Sequence, residues 1–209
     1  MAGGLVIFAL LFISSLVLGR LWCGWLCPSG GIQEITRFLH DRLLRTRKLN
    51  WLKYLVFLGI FGSLVFAIWS SGGLKTIDMF YRTEYGIAIL AAGGVAAFLG
   101  PVIITLIFTF IFGRRGFCHT FCPIAIMQIV GRKIRNLIGW PALHLTVEKG
   151  RCTDCKTCSK ECPMSLDVNT MVREGNMENS DCILCGNCAD TCRNGVIRYA
   201  GSGKEIRSN

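Results

Sequence analysis

Three long apolar runs and a polar, cysteine-rich remainder divide this chain. Residues 4–19 are almost entirely apolar, 54–74 carry no charge, and 85–113 stay uncharged for 29 residues. A hydrocarbon core about 30 Å thick takes roughly 17–25 residues of helix, so the first run predicts a short span and the second a comfortable one. The third would make about 43 Å of helix at about 1.5 Å per residue. Ala91-Ala92-Gly93-Gly94 and Gly100-Pro101 within it predict a kinked or partly interfacial start rather than two complete spans. The charges near the first run follow it instead of preceding it, unlike a signal peptide.

Between the first two runs, Ile32, Ile35, Phe38, Leu39, Leu43 and Leu44 recur at helical spacing, with Arg37, Arg42, Arg45 and Lys48 between them. This predicts an amphipathic helix, lying in a headgroup plane or packed as an ordinary cytoplasmic helix. Near the C-terminus, Leu143–Glu148 and Gly195–Ala200 alternate and are rich in strand formers, which predicts a strand pair. The expected architecture is a membrane α-helical region of about three transmembrane helices over residues 1–142, followed by a small α+β two-cluster ferredoxin-like domain over 143–209.

Composition sharpens this. Mean hydropathy is +0.47 and only 17% of residues are charged, which favours membrane spans. The net charge of +10 is not spread evenly. Segment 20–53 has seven basic and two acidic side chains, 114–135 has five basic and none acidic, and 143–209 balances nine against nine. A basic excess that flanks apolar runs is a topology signal rather than a nucleic-acid surface, so no nucleic-acid partner is expected. It puts the N-terminus and the 71–85 loop outside, with 20–53 and everything after 113 in the cytoplasm. The predicted location is the inner membrane, multi-pass and in contact with lipid, with Trp22, Trp25 and Trp140 as interface anchors.

Eight of the twelve cysteines form two runs, Cys152-x2-Cys155-x2-Cys158-x3-Cys162-Pro163 and Cys182-x2-Cys185-x2-Cys188-x3-Cys192. This is the spacing of bacterial two-cluster ferredoxins, in which the fourth cysteine of each run ligates the other run's cluster. It assigns Cys152, Cys155, Cys158 and Cys192 to one [4Fe-4S] cluster, and Cys182, Cys185, Cys188 and Cys162 to the second. Zinc prefers Cys-x2-Cys pairs separated by a longer spacer, and disulfides would be crowded by triple runs. Gly186 suits a close backbone approach to sulfur. Lys156, Lys160 and Arg193 are solvated charges, or else tune a potential or dock a partner.

The other four cysteines lie in a repeat. Arg20-Leu-Trp-Cys23-Gly-Trp-Leu-Cys27-Pro28 and Arg115-Gly-Phe-Cys118-His-Thr-Phe-Cys122-Pro123 align at an offset of 95, each with a later glutamine, Gln33 and Gln128. Cysteines at i and i+4 share a helix face, and proline turns the residue before it away from helical geometry. Two such ends brought together offer four thiolates: a third iron–sulfur cluster, a thiol/disulfide relay or another metal site, against simple packing as small hydrophobes. His119 is either a satisfied histidine or a proton acceptor or ligand.

Two Cys-x3-Cys-Pro motifs followed by a two-cluster ferredoxin module resemble the NapH-type membrane ferredoxins, and the core is similar to the membrane halves of NosR and CcoG-like polyferredoxins. The likeness covers nearly the whole chain. Two departures stand out: three spans where that family has four, and Cys192-Arg193 where the motif has Cys-Pro. The resemblance implies an electron-transfer subunit of a quinol-dehydrogenase-like complex. Such a subunit would pass electrons between quinone or another redox subunit and a partner protein. The CcoG-like relatives imply an alternative, an assembly factor handling a thiophilic metal.

Overall fold

A computed structural model describes residues 3–43, 50–70 and 94–201. Seven helices come first: α1 (Gly3–Leu18), α2 (Leu21–Trp25), α3 (Pro28–Arg37), α4 (Leu52–Ser70), α5 (Gly94–Phe112), α6 (Gly116–Thr120) and α7 (Pro123–Ile138). Then follow β1 (His144–Val147), the short helices α8 (Thr157–Lys160), α9 (Val168–Glu174) and α10 (Asn187–Asp190), and β2 (Ile197–Ala200). The expected 71–85 loop and the start of the third apolar run lie outside the described residues, as do Leu44, Arg45 and Lys48.

The two repeats fold alike. Each is a long apolar helix, a five-residue helix carrying the first cysteine, and a helix opened by proline. Cys27 (φ −73°, ψ 115°) and Cys122 (φ −70°, ψ 112°) cap α3 and α7 with nearly the same extended backbone. Proline in the next position forbids helical geometry at the cysteine and is pre-set for the first turn after it. The repeats then pack crosswise: α1 lies on α7, and α5 lies on α3. The first contact is close enough that a β-carbon on Gly131 would sit 1.8 Å from the Ser15 hydroxyl. In the second, the Ser29 and Thr105 hydroxyls pair at 3.2 Å. Helix α3 turns Gly30, Gln33 and Thr36 inward and leaves Ile35 exposed. It ends at Arg37, so the longer amphipathic helix expected beyond it does not form across 38–43.

The membrane reading does not stand. Among the described residues no helix is long and apolar enough to cross a membrane. Helix α1 has 16 residues and α4 and α5 have 19 each. The three-span architecture and the multi-pass inner-membrane location are corrected accordingly. Helices α1, α4 and α5 do leave large apolar side chains exposed, among them Leu10, Phe66 and Ile107.

The arginines taken for topology markers have structural partners instead. Arg20 donates to the Ser180 carbonyl at 2.8 Å and lies 3.8 Å from Asp181. Lys53 meets Asp181 at 2.9 Å, with side-chain exposures of 1% and 5%. Arg132 and Arg135 both reach Glu178, at 2.8 and 3.2 Å, and Arg132 also donates to the Cys182 carbonyl at 3.0 Å. Arg114 bridges Asp41 and the Lys160 carbonyl. These cations of the helical half thus clamp the C-terminal module.

That module closes on an antiparallel pair, with His144 opposite Ala200 and Val147 opposite Ile197. The strands fall within the segments predicted for them. Its core joins Leu145, Met164, Leu166, Val168, Val172, Ile183 and Val196, and Cys23 of α2 is inserted among them. Asp167 caps α9 by accepting from the Thr170 amide.

Replacing Asp181 by alanine leaves Lys53 and Arg20 buried without their counter-ion, which costs about 3–5 kcal/mol. Denaturant unfolding of the iron-loaded chain checks this. Glu148→Ala, which breaks an exposed pair with Arg151, changes stability by less than about 1 kcal/mol.

Candidate iron–sulfur centres

The C-terminal loops repeat their backbone at an offset of 30 residues. Asp154 and Leu184 precede the second cysteine of each run with φ of 56° and 53°, and Lys156 and Gly186 follow it at 60° and 87°. Left-handed residues on either side of that cysteine bend each loop tightly around it. The third position of each closing turn repeats the pattern, at Ser165 and Gly195, whose amides bond back to the Cys162 and Cys192 carbonyls at 3.1 and 3.0 Å. Gly186 answers to a second constraint, because a β-carbon there would meet the Tyr199 hydroxyl at 2.8 Å.

These loops enclose two spaces. Cys152, Cys155, Cys158 and Cys192 line a cavity of about 380 Å³, with Lys156 and Arg193 beside them. Cys162, Cys182, Cys185 and Cys188 line a tight apolar one of about 20 Å³, walled by Leu145, Met164, Leu166 and Ile183. Among the described residues no group of three or more His, Cys, Asp or Glu side chains is placed to hold a single metal ion; the cysteines surround spaces rather than meet at a point. The four thiols lining each space are the donor set of a caged iron–sulfur group.

The thiols differ in exposure. Cys155 is exposed, and hydrogen bonds from Thr157 hold its pKa below the ordinary thiol value. Burial pushes Cys185 up to about 11 and raises Cys162 and Cys188 as well. Inner ligands of this kind ionise only against a bound cation.

The structure also brings the four remaining cysteines together. Burial pushes Cys23 up to about 11, opposed by Arg20 and reinforced by Cys118 and Cys27. Burial likewise lifts Cys122 to about 12, reinforced by Cys118, Cys23 and Cys27, and Cys118 is raised in the same way. The thiols feel one another across the two repeats. Hydrogen bonds cross as well: Cys23 donates to Gln128 Oε1 at 3.0 Å, and Gln33 Nε2 donates to Cys118 Sγ at 3.3 Å.

This fourfold group lies against the second loop of the module. A β-carbon on Gly24 would sit 2.7 Å from the Ile183 carbonyl and 3.3 Å from Cys185 Cα. Trp25, predicted as an interface anchor, instead donates its indole N–H to the Leu184 carbonyl at 3.2 Å. His119 Nε2 donates to the Met164 carbonyl at 3.1 Å, and burial lowers its pKa to about 4, so it is neutral and ties α6 to the module. Sequence reasoning missed Lys53, Asp181 and Gly24. Asp181 directly precedes Cys182, and Gly24 lies inside the Cys-x3-Cys motif, so position relative to the cysteines was the available signal.

Comparison with known proteins agrees with this geometry. The 4Fe-4S binding domain family matches residues 1–47 and 94–141, the two repeats, and the 4Fe-4S dicluster domain family matches 151–197. The ferredoxin-type protein NapH of Haemophilus influenzae is 25% identical over 203 residues, 92% of this chain and 66% of that protein. The chain is similar over most of its length to NapH-type iron–sulfur proteins. An uncharacterized protein of Methanocaldococcus jannaschii is 26% identical over 203 residues, 90% of this chain and 75% of the relative. The regulatory protein NosR of Pseudomonas aeruginosa is 26% identical over 188 residues, 85% of this chain but 24% of NosR. No solved structure matches the chain. With both 4Fe-4S domains present, the chain is an iron–sulfur protein of the electron-transfer kind.

Valine at Gly24 must push α2 off the module and destabilises the iron-loaded chain by about 1–3 kcal/mol. Alanine at Gly31, which has nothing within 4 Å, instead gains about 0.4–1 kcal/mol. Thermal unfolding of both variants checks the contrast.

Proposed function

We propose that this chain relays electrons through three four-cysteine centres in series. Cys23, Cys27, Cys118 and Cys122 hold the centre that meets the donor. Cys162, Cys182, Cys185 and Cys188 hold the middle one. Cys152, Cys155, Cys158 and Cys192 hold the centre that meets a redox partner protein. The observation that carries this order is the contact at Gly24, where the backbone beside Cys23 lies on the backbone of Ile183–Cys185 without a side chain between them. A relay needs its centres close and fixed, and this contact supplies both.

When bound, an iron–sulfur group accepts and returns one electron. The protein's part is to hold and shield. Arg20, Arg115 and Arg132 hydrogen-bond the carbonyls of Ser180, Cys23 and Cys182, which stiffens the ligand loops and places positive charge near electron-rich sulfur. Leu145, Met164 and Ile183 keep water from the middle centre. Cys155, exposed on the outer loop, is the point of exit to a soluble partner. The donor is a quinol or another redox subunit, as the likeness to NapH suggests, and the same path serves flow in either direction.

Serine at both Cys23 and Cys118 of the full-length chain should leave the two ferredoxin EPR signals obtainable with dithionite while abolishing their reduction by quinol or a native donor. Reduction at the unaltered rate overturns the relay. Crossed ligation has its own check. Cys162→Ser should alter the same EPR signal as Cys185→Ser and spare the one altered by Cys155→Ser; the opposite grouping rules it out.

A further inference from the structure

Gln33 and Gln128 occupy matching places, six residues after Cys27 and Cys122, and each reaches the other repeat's first cysteine. Gln33 Nε2 donates to Cys118 Sγ at 3.3 Å and to the Ser29 carbonyl at 3.1 Å. Gln128 Oε1 accepts from the Cys23 thiol at 3.0 Å. The two side chains are 2% and 0% exposed, and each keeps one polar atom without a partner, Gln33 Oε1 and Gln128 Nε2. An unmade hydrogen bond on a buried amide costs about 1–3 kcal/mol, so a pair of them at one site calls for a reason.

Ligation changes what each sulfur needs, though it leaves an oxygen on each glutamine unpaired. A sulfur bound to iron has lost its proton and can only accept. A half-turn about the last torsion of Gln128 then brings Nε2 to the place of Oε1, facing Cys23 Sγ. Both glutamines now do the same thing, each giving an N–H to the first cysteine of the opposite repeat. Glutamine suits this task because it brings a strong donor without adding a charge.

We propose that Gln33 and Gln128 are crossed amide donors to the ligating sulfurs of Cys118 and Cys23, and that they raise the reduction potential of the centre held by Cys23, Cys27, Cys118 and Cys122. The inference rests on the third centre put forward above. Reduction adds negative charge that the sulfurs share, and an N–H aimed at sulfur stabilises the reduced form more than the oxidised one. With both donors in place, the entry centre takes electrons from a milder donor than it otherwise would.

The test is an EPR-monitored redox titration of the iron-loaded full-length chain carrying Gln33→Leu, Gln128→Leu or both. Each single change should weaken the centre's hold on an electron about tenfold, a fall of about 59 mV for a one-electron couple. The double change should fall further, and the two ferredoxin centres should not move. Methionine in place of leucine guards against a packing defect. An unmoved potential in a loaded third centre overturns this inference and leaves the relay intact. Loss of the third centre in both the leucine and methionine variants shows a role in assembly and also overturns it. If the unaltered chain holds about eight iron atoms and shows two signals, where three centres need about twelve, the third centre itself is wrong and this inference falls with it.

Discussion

The buried cations of the helical half, set against the carboxylates and carbonyls of the C-terminal module, are the interaction on which the rest of the structure depends. Arg20 and Lys53 meet at Asp181, and Arg132 and Arg135 meet at Glu178. Burial by itself pushes the Asp181 carboxyl up, yet Lys53 and Arg20 hold it below the ordinary carboxylate range. Such pairs are weak evidence of net stability, since desolvation offsets most of their attraction. What they give is position, because a buried charge has only one place to be satisfied. Asp181 and Glu178 flank the start of the second cysteine run, so fixing them fixes the loop that faces Cys23.

The second organising fact is the crossing of the repeats. Each long helix packs on the proline-started helix of the other repeat, and each glutamine bonds the other repeat's cysteine. Neither repeat can form its half of the site alone. The short cysteine helices α2 and α6 are five residues long, too short to hold shape by their own hydrogen bonds. Their geometry comes from the proline turn behind them and from packing against the module, with Cys23 inside its core and His119 bonded to Met164. The fourfold cysteine group is therefore a property of all three parts together.

Much of this was legible in the sequence, for a definite reason. Metal-ligand spacing is local: Cys-x2-Cys-x2-Cys forces a tight loop whatever surrounds it, and alternating apolar residues at 143–148 and 195–200 predicted the strands that pair. The repeat was legible too, since Cys-x3-Cys-Pro fixes a helix end followed by a helix start, and both appear at Cys27 and Cys122 with nearly equal dihedrals. Hydropathy and charge misled where they were read as topology. An apolar run reports that a segment lacks charge, not what its helix packs against, and among the described residues no helix is long and apolar enough to cross a membrane. A basic segment reports an excess of charge, but its partners lie far along the chain, as with Arg20 and Ser180.

The sequence by itself thus determined the cysteine sockets, the strand pair and the twofold motif, because each is set by residues within one or two turns of one another. Only the tertiary structure decided that Gln33 and Gln128 bond across the two distant Cys-x3-Cys ends, that Gly24 lies on Cys185, and that the arginines hold the module. Those facts depend on contacts between residues dozens of positions apart or more, and no local spacing encodes them: the register is chosen by the fit of buried charge and packed volume once the helices are formed.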